Sequence, residues 1–361
     1  MKGDNLMLQS WLFRWGICLL IVGLAAGCTP SSSDPQPAAG QANPAGNANS
    51  NPFEAGQAER VILGDLGHGL VNPDRDENGD IRPLRYDGGE LHIPYAVHAS
   101  GKAKNVGFLV FIDGIAQPYK LNTTDAPYQY MHIFELEQDN KDTAFTFVFT
   151  PVTGKQGDTL SISITSIYNP GFIPDMKATS SYGGYHSTLE AGGSLYFTKD
   201  ADALAPGSIP QLAYASDVRS STEPVTKELL QAHSGMEAVD MDLLEQRVYS
   251  DLYIDGELKR NHVEVKDSGP LHVRFKIFGH PGVRFRNTFY INHQAVTSKV
   301  GNPIETVLAK GDVAVLDFDL DLGKLDDFST IYMVSVPMNA ADFPADVLVL
   351  QKTLSLLLYK G

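Results

Sequence analysis

The sequence predicts an all-β body: two tandem antiparallel β-sandwiches joined by a segment with a short helix. Three observations predict it: period-two apolar alternation, Asp-Gly turn signals, and motifs that recur in the same order in both halves of the chain. We expect the first sandwich at 60–200, the connecting segment at 201–244 and the second sandwich at 245–361.

The strands are read from alternation. Ala144-Phe145-Thr146-Phe147-Val148-Phe149-Thr150 puts Phe145, Phe147 and Phe149 on one face, and Leu160-Ser161-Ile162-Ser163-Ile164 alternates likewise. Leu316-Asp317-Phe318-Asp319-Leu320-Asp321-Leu322 turns its leucines and Phe318 inward and its aspartates outward, a charged face that discourages edge pairing. Ile112-Asp113-Gly114-Ile115 and Ile254-Asp255-Gly256-Glu257 are hairpin signals, because Asp-Gly tolerates the positive φ angles of a type I′ turn.

The duplication has five matches. Gly89-Glu90-Leu91-His92-Ile93 parallels Gly269-Pro270-Leu271-His272-Val273, and Val110-Phe111-Ile112-Asp113-Gly114 parallels Phe289-Tyr290-Ile291-Asn292-His293. Gly154-Lys155, Asp158 and Ile162 parallel Gly323-Lys324, Asp327 and Ile331; Asn169 with Phe172 and Pro174 parallels Asn339 with Phe343 and Pro344; Ser194-Leu195 parallels Ser355-Leu356. Between the copies, Ser221-Thr222-Glu223-Pro224 ahead of Val225-Thr226-Lys227-Glu228-Leu229-Leu230 reads as a capped helix start with proline in the first turn, and a second helical turn is expected near Asp242 to Arg247. On this pattern the body resembles tandem immunoglobulin-like domains of bacterial surface proteins. It has no Cys–Trp–Cys core, since both tryptophans and both cysteines lie within the first 28 residues.

Those residues form a unit of their own. Lys2 and Arg14 flank a polar start, and Trp15 to Ala26 is apolar but shorter than the roughly 20 residues a membrane span needs. The stretch ends in Leu24-Ala25-Ala26-Gly27-Cys28, which resembles the lipobox of bacterial lipoproteins. The resemblance implies cleavage of a signal peptide at 1–27, lipidation of Cys28, and a cell-membrane location facing the extracytoplasmic side. Residues 28–59, rich in Pro, Ala, Gly, Asn, Ser and Gln, lack the apolar surface to repay ordering and read as a disordered stalk. With Cys18 removed and Cys28 acylated, the body has no disulfide, thiolate metal site or cysteine nucleophile.

The chain carries 28 Lys and Arg against 43 Asp and Glu, a net charge of −15, which argues against nucleic acid as a partner and against adhesion to anionic lipid through a basic face. Asp74, Asp76, Asn78 and Asp80, with Gly79 and Ile81, resemble the first eight positions of an EF-hand calcium loop, implying calcium as the one candidate cofactor. Arg85 stands where the bidentate glutamate is needed, and the internal repeat offers a plain acidic hairpin turn as the rival reading. The ten histidines show neither HxH nor HExxH spacing.

The first copy is longer than the second after Pro174, over Met176 to Thr188. Loops at the end of a sandwich are where binding residues tend to be mounted. Tyr182, Tyr185 and His186 are therefore candidate ligand contacts for a sugar or peptide, and Tyr128, Tyr130 and His132 form a second aromatic cluster; the rival reading packs these aromatics on their own domain. There is no G-x-S-x-G elbow, P-loop or dinucleotide fingerprint. The expectation is a non-catalytic envelope lipoprotein that binds or scaffolds an extracytoplasmic protein or glycan. The alternatives are an enzyme or accessory subunit acting on envelope polysaccharide or peptide, and a calcium-stiffened surface spacer.

Overall fold

The computed structural model describes residues 65–100, 105–136, 141–172, 186, 188–204, 208, 217–234, 239–296, 304–343 and 349–361. The lipobox-like run at 24–28, the expected stalk at 28–59, Tyr182 and Tyr185 lie outside these residues.

Sandwich 1 contains β1 (Leu66–Leu70), β2 (Leu84–Tyr86), β3 (Leu91–Ala99), β4 (Asn105–Ile112), β5 (Ile115–Gln117), β6 (Lys120–Leu121), β7 (Ile133–Glu135), β8 (Thr143–Phe149), β9 (Thr159–Tyr168) and β10 (Thr188–Phe197). One sheet runs β1-β3-β8-β6, and the facing sheet runs β2-β10-β9-β4-β5 with β7 also on β4. Those orders are the A-B-E-D and G-F-C-C′ sheets of an immunoglobulin-like domain. The first strand switches sheets: β1 pairs antiparallel with β3, whereas β2 pairs parallel with β10. The apolar residues of alternating strands meet between the sheets, with Phe145, Phe147, Phe149, Ile162 and Ile164 in one core cluster with Phe108 and Tyr95.

Sandwich 2 repeats the plan with β11 (Arg219–Pro224), β12 (Val248–Ile254), β13 (Glu257–Leu258), β14 (His262–Val265), β15 (Pro270–Gly279), β16 (Arg284–Ile291), β17 (Gln294–Ala295), β18 (Ile304–Val307), β19 (Asp312–Asp321), β20 (Phe328–Pro337), β21 (Gln351–Lys352) and β22 (Leu356–Lys360). Its sheets run β11-β19-β15-β12-β13 and β14-β22-β20-β16-β17, and β14 is again parallel to β22. Leu316, Phe318, Leu320 and Leu322 enter its core. The equivalent hairpin turns carry positive φ at both central residues, Asp113 and Gly114 in one copy and Asn292 and His293 in the other. Asn169 and Asn339 repeat one hydrogen bond: each side-chain oxygen accepts from the first amide of its neighbouring strand, that of Asn105 or Arg284.

One repeat match shifts. Leu195 pairs with Leu160 on β9, while Leu356 pairs with Ile331 on β20, the counterpart of Ile162. The counterpart of Leu195 is therefore Leu358. A slip of two keeps the same face of a strand inward, so the sequence pattern does not register it.

The connecting segment departs from expectation in a second way. Ser221 to Pro224 belong to strand β11, which pairs with β19 and occupies the D position of sandwich 2. The helix α1 (Lys227–His233) starts later, capped by Thr226, whose Oγ accepts from the Leu229 amide. The second turn is α2 (Met241–Leu244), capped by Asp240. Leu229, Val239 and Leu244 bury against Phe278, Val313 and Val315 on the outer face of the β15–β19 sheet. The segment is thus built onto sandwich 2.

The aspartate row on β19 is only partly solvated. Asp317 takes two hydrogen bonds from Arg274, whose other arm reaches Glu223 on β11, and Glu223 also accepts from Lys276. Asp319 bonds His272 Nδ1, and Asp321 caps the turn at Gly323.

The aromatic cluster sets the stability of sandwich 1. Phe108 is fully buried and touches the rings of Tyr95, Phe134, Phe145 and Phe147. Phe108→Ala is expected to lower the stability measured by urea unfolding by about 3–5 kcal/mol; a loss under about 1 kcal/mol would mean that the cluster collapses to fill the gap.

Candidate functional site

The strongest concentration of buried polar chemistry lies where the two sandwiches meet. Strands β4 and β9 of sandwich 1 and β16 and β20 of sandwich 2 turn their outer faces toward each other. Leu109, Phe111, Met131 and Ile167 pack there with Tyr290, Tyr332, Val334, Val336 and Leu350. Tyr290 and Tyr332 stack with centroids 5.1 Å apart and planes 11° from parallel. This seam accounts for strands buried on both faces: every residue of β4 after Asn105 is buried.

Each sandwich inserts its type I′ turn into the other. Arg286 Nη1 donates to the backbone oxygen of Asp113 and to its carboxylate at 2.7 Å, while its Nε donates to Glu305 at 3.0 Å. Gly114 sits so close that an added Cβ would lie 3.0 Å from Arg286 Cβ and 3.1 Å from Met338 Sδ, at a φ of +72° that already favours glycine. Reciprocally, His293 of the second turn bonds the Pro170 carbonyl at 3.0 Å, and the next residue, Gln294, accepts from the Tyr130 amide at 3.0 Å. A further tie runs from the Leu350 amide to Glu190, whose other oxygen accepts from Ser163.

Three bases share this place, two of them buried histidines and the third a half-buried lysine. His293 is 6 % exposed; its Nε2 faces a carbonyl and so carries the hydrogen, which leaves Nδ1 to accept from Tyr332 Oη at 3.1 Å. His186 is buried with its ring centroid 5.9 Å from that of His293. Lys352 on β21 places its Nζ 4.6 Å above the Tyr332 ring and donates to Thr353 O and Ser355 Oγ. Burial, which penalises the charged form, lowers all three: Lys352 to about 7, His293 to about 4 and His186 to about 2; Lys352 pushes both histidines further down, and His293 does the same to His186.

The residues picked from sequence fall in different places. His186 and Tyr130 are buried in the seam, away from any free surface, because the second sandwich covers them. Tyr128 is half-buried against the core of sandwich 1, with Lys120 Nζ 4.7 Å from its ring and its hydroxyl donating to Glu90. His132 bonds the Tyr119 carbonyl. Asp74, Asp76, Asn78 and Asp80 form a turn closed by the Arg75–Ile81 bridge. The Asp76 carboxylate accepts from the amides of Asn78 and Asp80, and Arg82 lies 3.7 Å from Asp74. Among the described residues no set of three His, Cys, Asp or Glu side chains converges to hold a metal ion, and no helix is long and apolar enough to cross a membrane. Sequence reasoning missed Arg286, His293 and Lys352; the unbroken apolar run Val106 to Ile112 was the available signal of a strand covered on both sides.

Neither a family model nor a curated protein matches the chain. Among solved structures it is similar to fibronectin(III)-like modules of Clostridium thermocellum CbhA, with 6 % identity, TM-score 0.19, 81 % of this chain and 95 % of that one covered. A second is the Streptococcus agalactiae AgI/II polypeptide BspA C-terminal domain, with 10 % identity, TM-score 0.20 and 82 % and 100 % covered. A third is the CsuC–CsuE pre-assembly complex of Acinetobacter baumannii Csu pili, with 7 % identity, TM-score 0.19 and 82 % and 99 % covered. The immunoglobulin-like assignment rests on the strand order and on the parallel pairing of β2 with β10 and of β14 with β22.

Two outcomes follow from this geometry. A cycle of Arg286→Ala and Asp113→Asn, the asparagine tolerating the positive φ, should give a coupling of about 1 kcal/mol in urea unfolding; additivity would show that the clamp contributes nothing. Millimolar calcium should leave the melting temperature unchanged, while Asp76→Ala lowers it equally with and without calcium; a calcium-dependent rise lost in that variant would show that this turn holds the cation.

Proposed function

We propose that this protein is a non-catalytic lipoprotein of the cell envelope, anchored through Cys28, whose paired sandwiches bind or scaffold an extracytoplasmic protein or glycan. The observation that carries the reading is Leu24-Ala25-Ala26-Gly27-Cys28 at the end of a short apolar stretch. A doubly or triply acylated cysteine supplies the two hydrophobic chains that stable anchoring requires. The locked seam supports the scaffold part of the reading, because two sandwiches tied by reciprocal turns present their outer surfaces in one fixed relation. Tyr182 and Tyr185, with a hydroxyl and a large planar face each, are the proposed contact residues for the ligand.

Fractionation of cells tests the anchor. The wild-type chain should partition into the detergent phase with its leader removed, and Cys28→Ala should move it to the aqueous phase or leave the leader attached. A variant that stays detergent-soluble with a normally processed terminus would overturn the reading.

A further inference from the structure

We propose that the seam is an acid-opened lock: protonation of His293, wedged between the sandwiches, releases sandwich 1 from sandwich 2 while both stay folded. The inference rests on the seam alone and is independent of the lipid anchor.

His293 is engaged at the seam through both of its ring nitrogens. Its Nε2–H crosses the seam to Pro170 O, and its Nδ1 accepts from Tyr332 Oη on its own sandwich. A second proton converts Nδ1 into a donor, reverses the role of the Tyr332 hydroxyl, and places a full charge in a site closed to water. The neighbours make that charge worse. From sandwich 1 comes His186, a second base. From β21 comes the Lys352 amine, lying on the same Tyr332 ring. The stacked phenols of Tyr290 and Tyr332 and the buried Tyr130 supply no anion, since burial raises the ionisation of Tyr130 and Tyr290 further above neutrality. The carboxylates at the seam are already engaged: Glu190 holds Ser163 and the Leu350 amide, and Asp113 and Glu305 hold Arg286. His132 turns to the Tyr119 carbonyl on sandwich 1.

The sign is the same for every base. His293 and His186 bind a proton less readily in the closed seam than the ordinary histidine value near 6.5, so closure is fully favoured above that value and loses support as pH falls toward about 4. Lys352, held to about 7, adds support as pH rises from about 7 toward its ordinary value near 10.4. Each sandwich keeps its own separate core, so seam opening is separable from unfolding.

Hydroxyl-radical footprinting of the full chain between pH 7.5 and 4.5 tests the proposal. Tyr130, Met131, Tyr290 and Tyr332 report the seam, and Tyr95, Tyr119 and Met333 report the two cores. Seam residues should gain label at least tenfold over this range while core residues do not change. His293→Gln and His186→Gln, each of which removes a titrating group, should each shift the labelling midpoint to lower pH; where the first variant does not fold, the wild-type profile and the second variant decide. Seam residues that stay protected at pH 4.5, core and seam labelling together, or midpoints unmoved in every folded variant would each overturn the lock.

Discussion

The double burial of β4 and β20 is the constraint on which the rest of this architecture depends. A strand in an antiparallel sandwich ordinarily keeps one face in water and alternates accordingly. Here Val106, Phe108, Val110 and Ile112 fill the core of sandwich 1, while Leu109 and Phe111 point the other way into the seam. Ile331 and Met333 do the same for sandwich 2, with Tyr332, Val334 and Val336 facing the seam. With both faces spent on packing, the sheets containing β4 and β20 have little room for polar substitution. Arg286 and His293 enter the seam with specific partners, whereas the buried hydroxyls of Tyr290 and Thr165 have no hydrogen-bond partner among the described residues.

The connecting segment has a comparable dependence on sandwich 2. Its strand β11 supplies Glu223 to Arg274 and Lys276, and its helices lay Leu229 and Leu244 over Phe278. From β11 onward, the chain between the two sandwiches is therefore an extension of sandwich 2.

Much of the fold was legible because period-two alternation reports the interior of a sandwich directly. Phe145, Phe147 and Phe149 fall in the core as the pattern requires, and the two Asp-Gly turns adopt positive φ at both central residues. The pattern falters where a second partner adds a rule. The seam residues Phe111 and Tyr290 appeared only as matching members of a repeat, since nothing local distinguishes an apolar residue facing a neighbour from one facing its own core. Ser221 to Pro224 resembles a helix cap because serine, threonine and proline serve turns and strand ends equally; pairing with β19 decides the matter, and that pairing is a long-range fact. The aromatics Tyr130 and His186 looked like surface contacts for the same reason, their cover coming from more than a hundred residues away in sequence.

The reciprocal insertion of the two turns gives the seam an approximate two-fold character, with Phe111 opposite in role to Tyr290 and Ile167 to Val336. Two copies on separate chains would meet with a probability set by dilution. Fused in tandem, they face each other at a fixed effective molarity, so a surface too weak to hold a free dimer together suffices within one polypeptide. The partnership is then insensitive to how many molecules the cell makes.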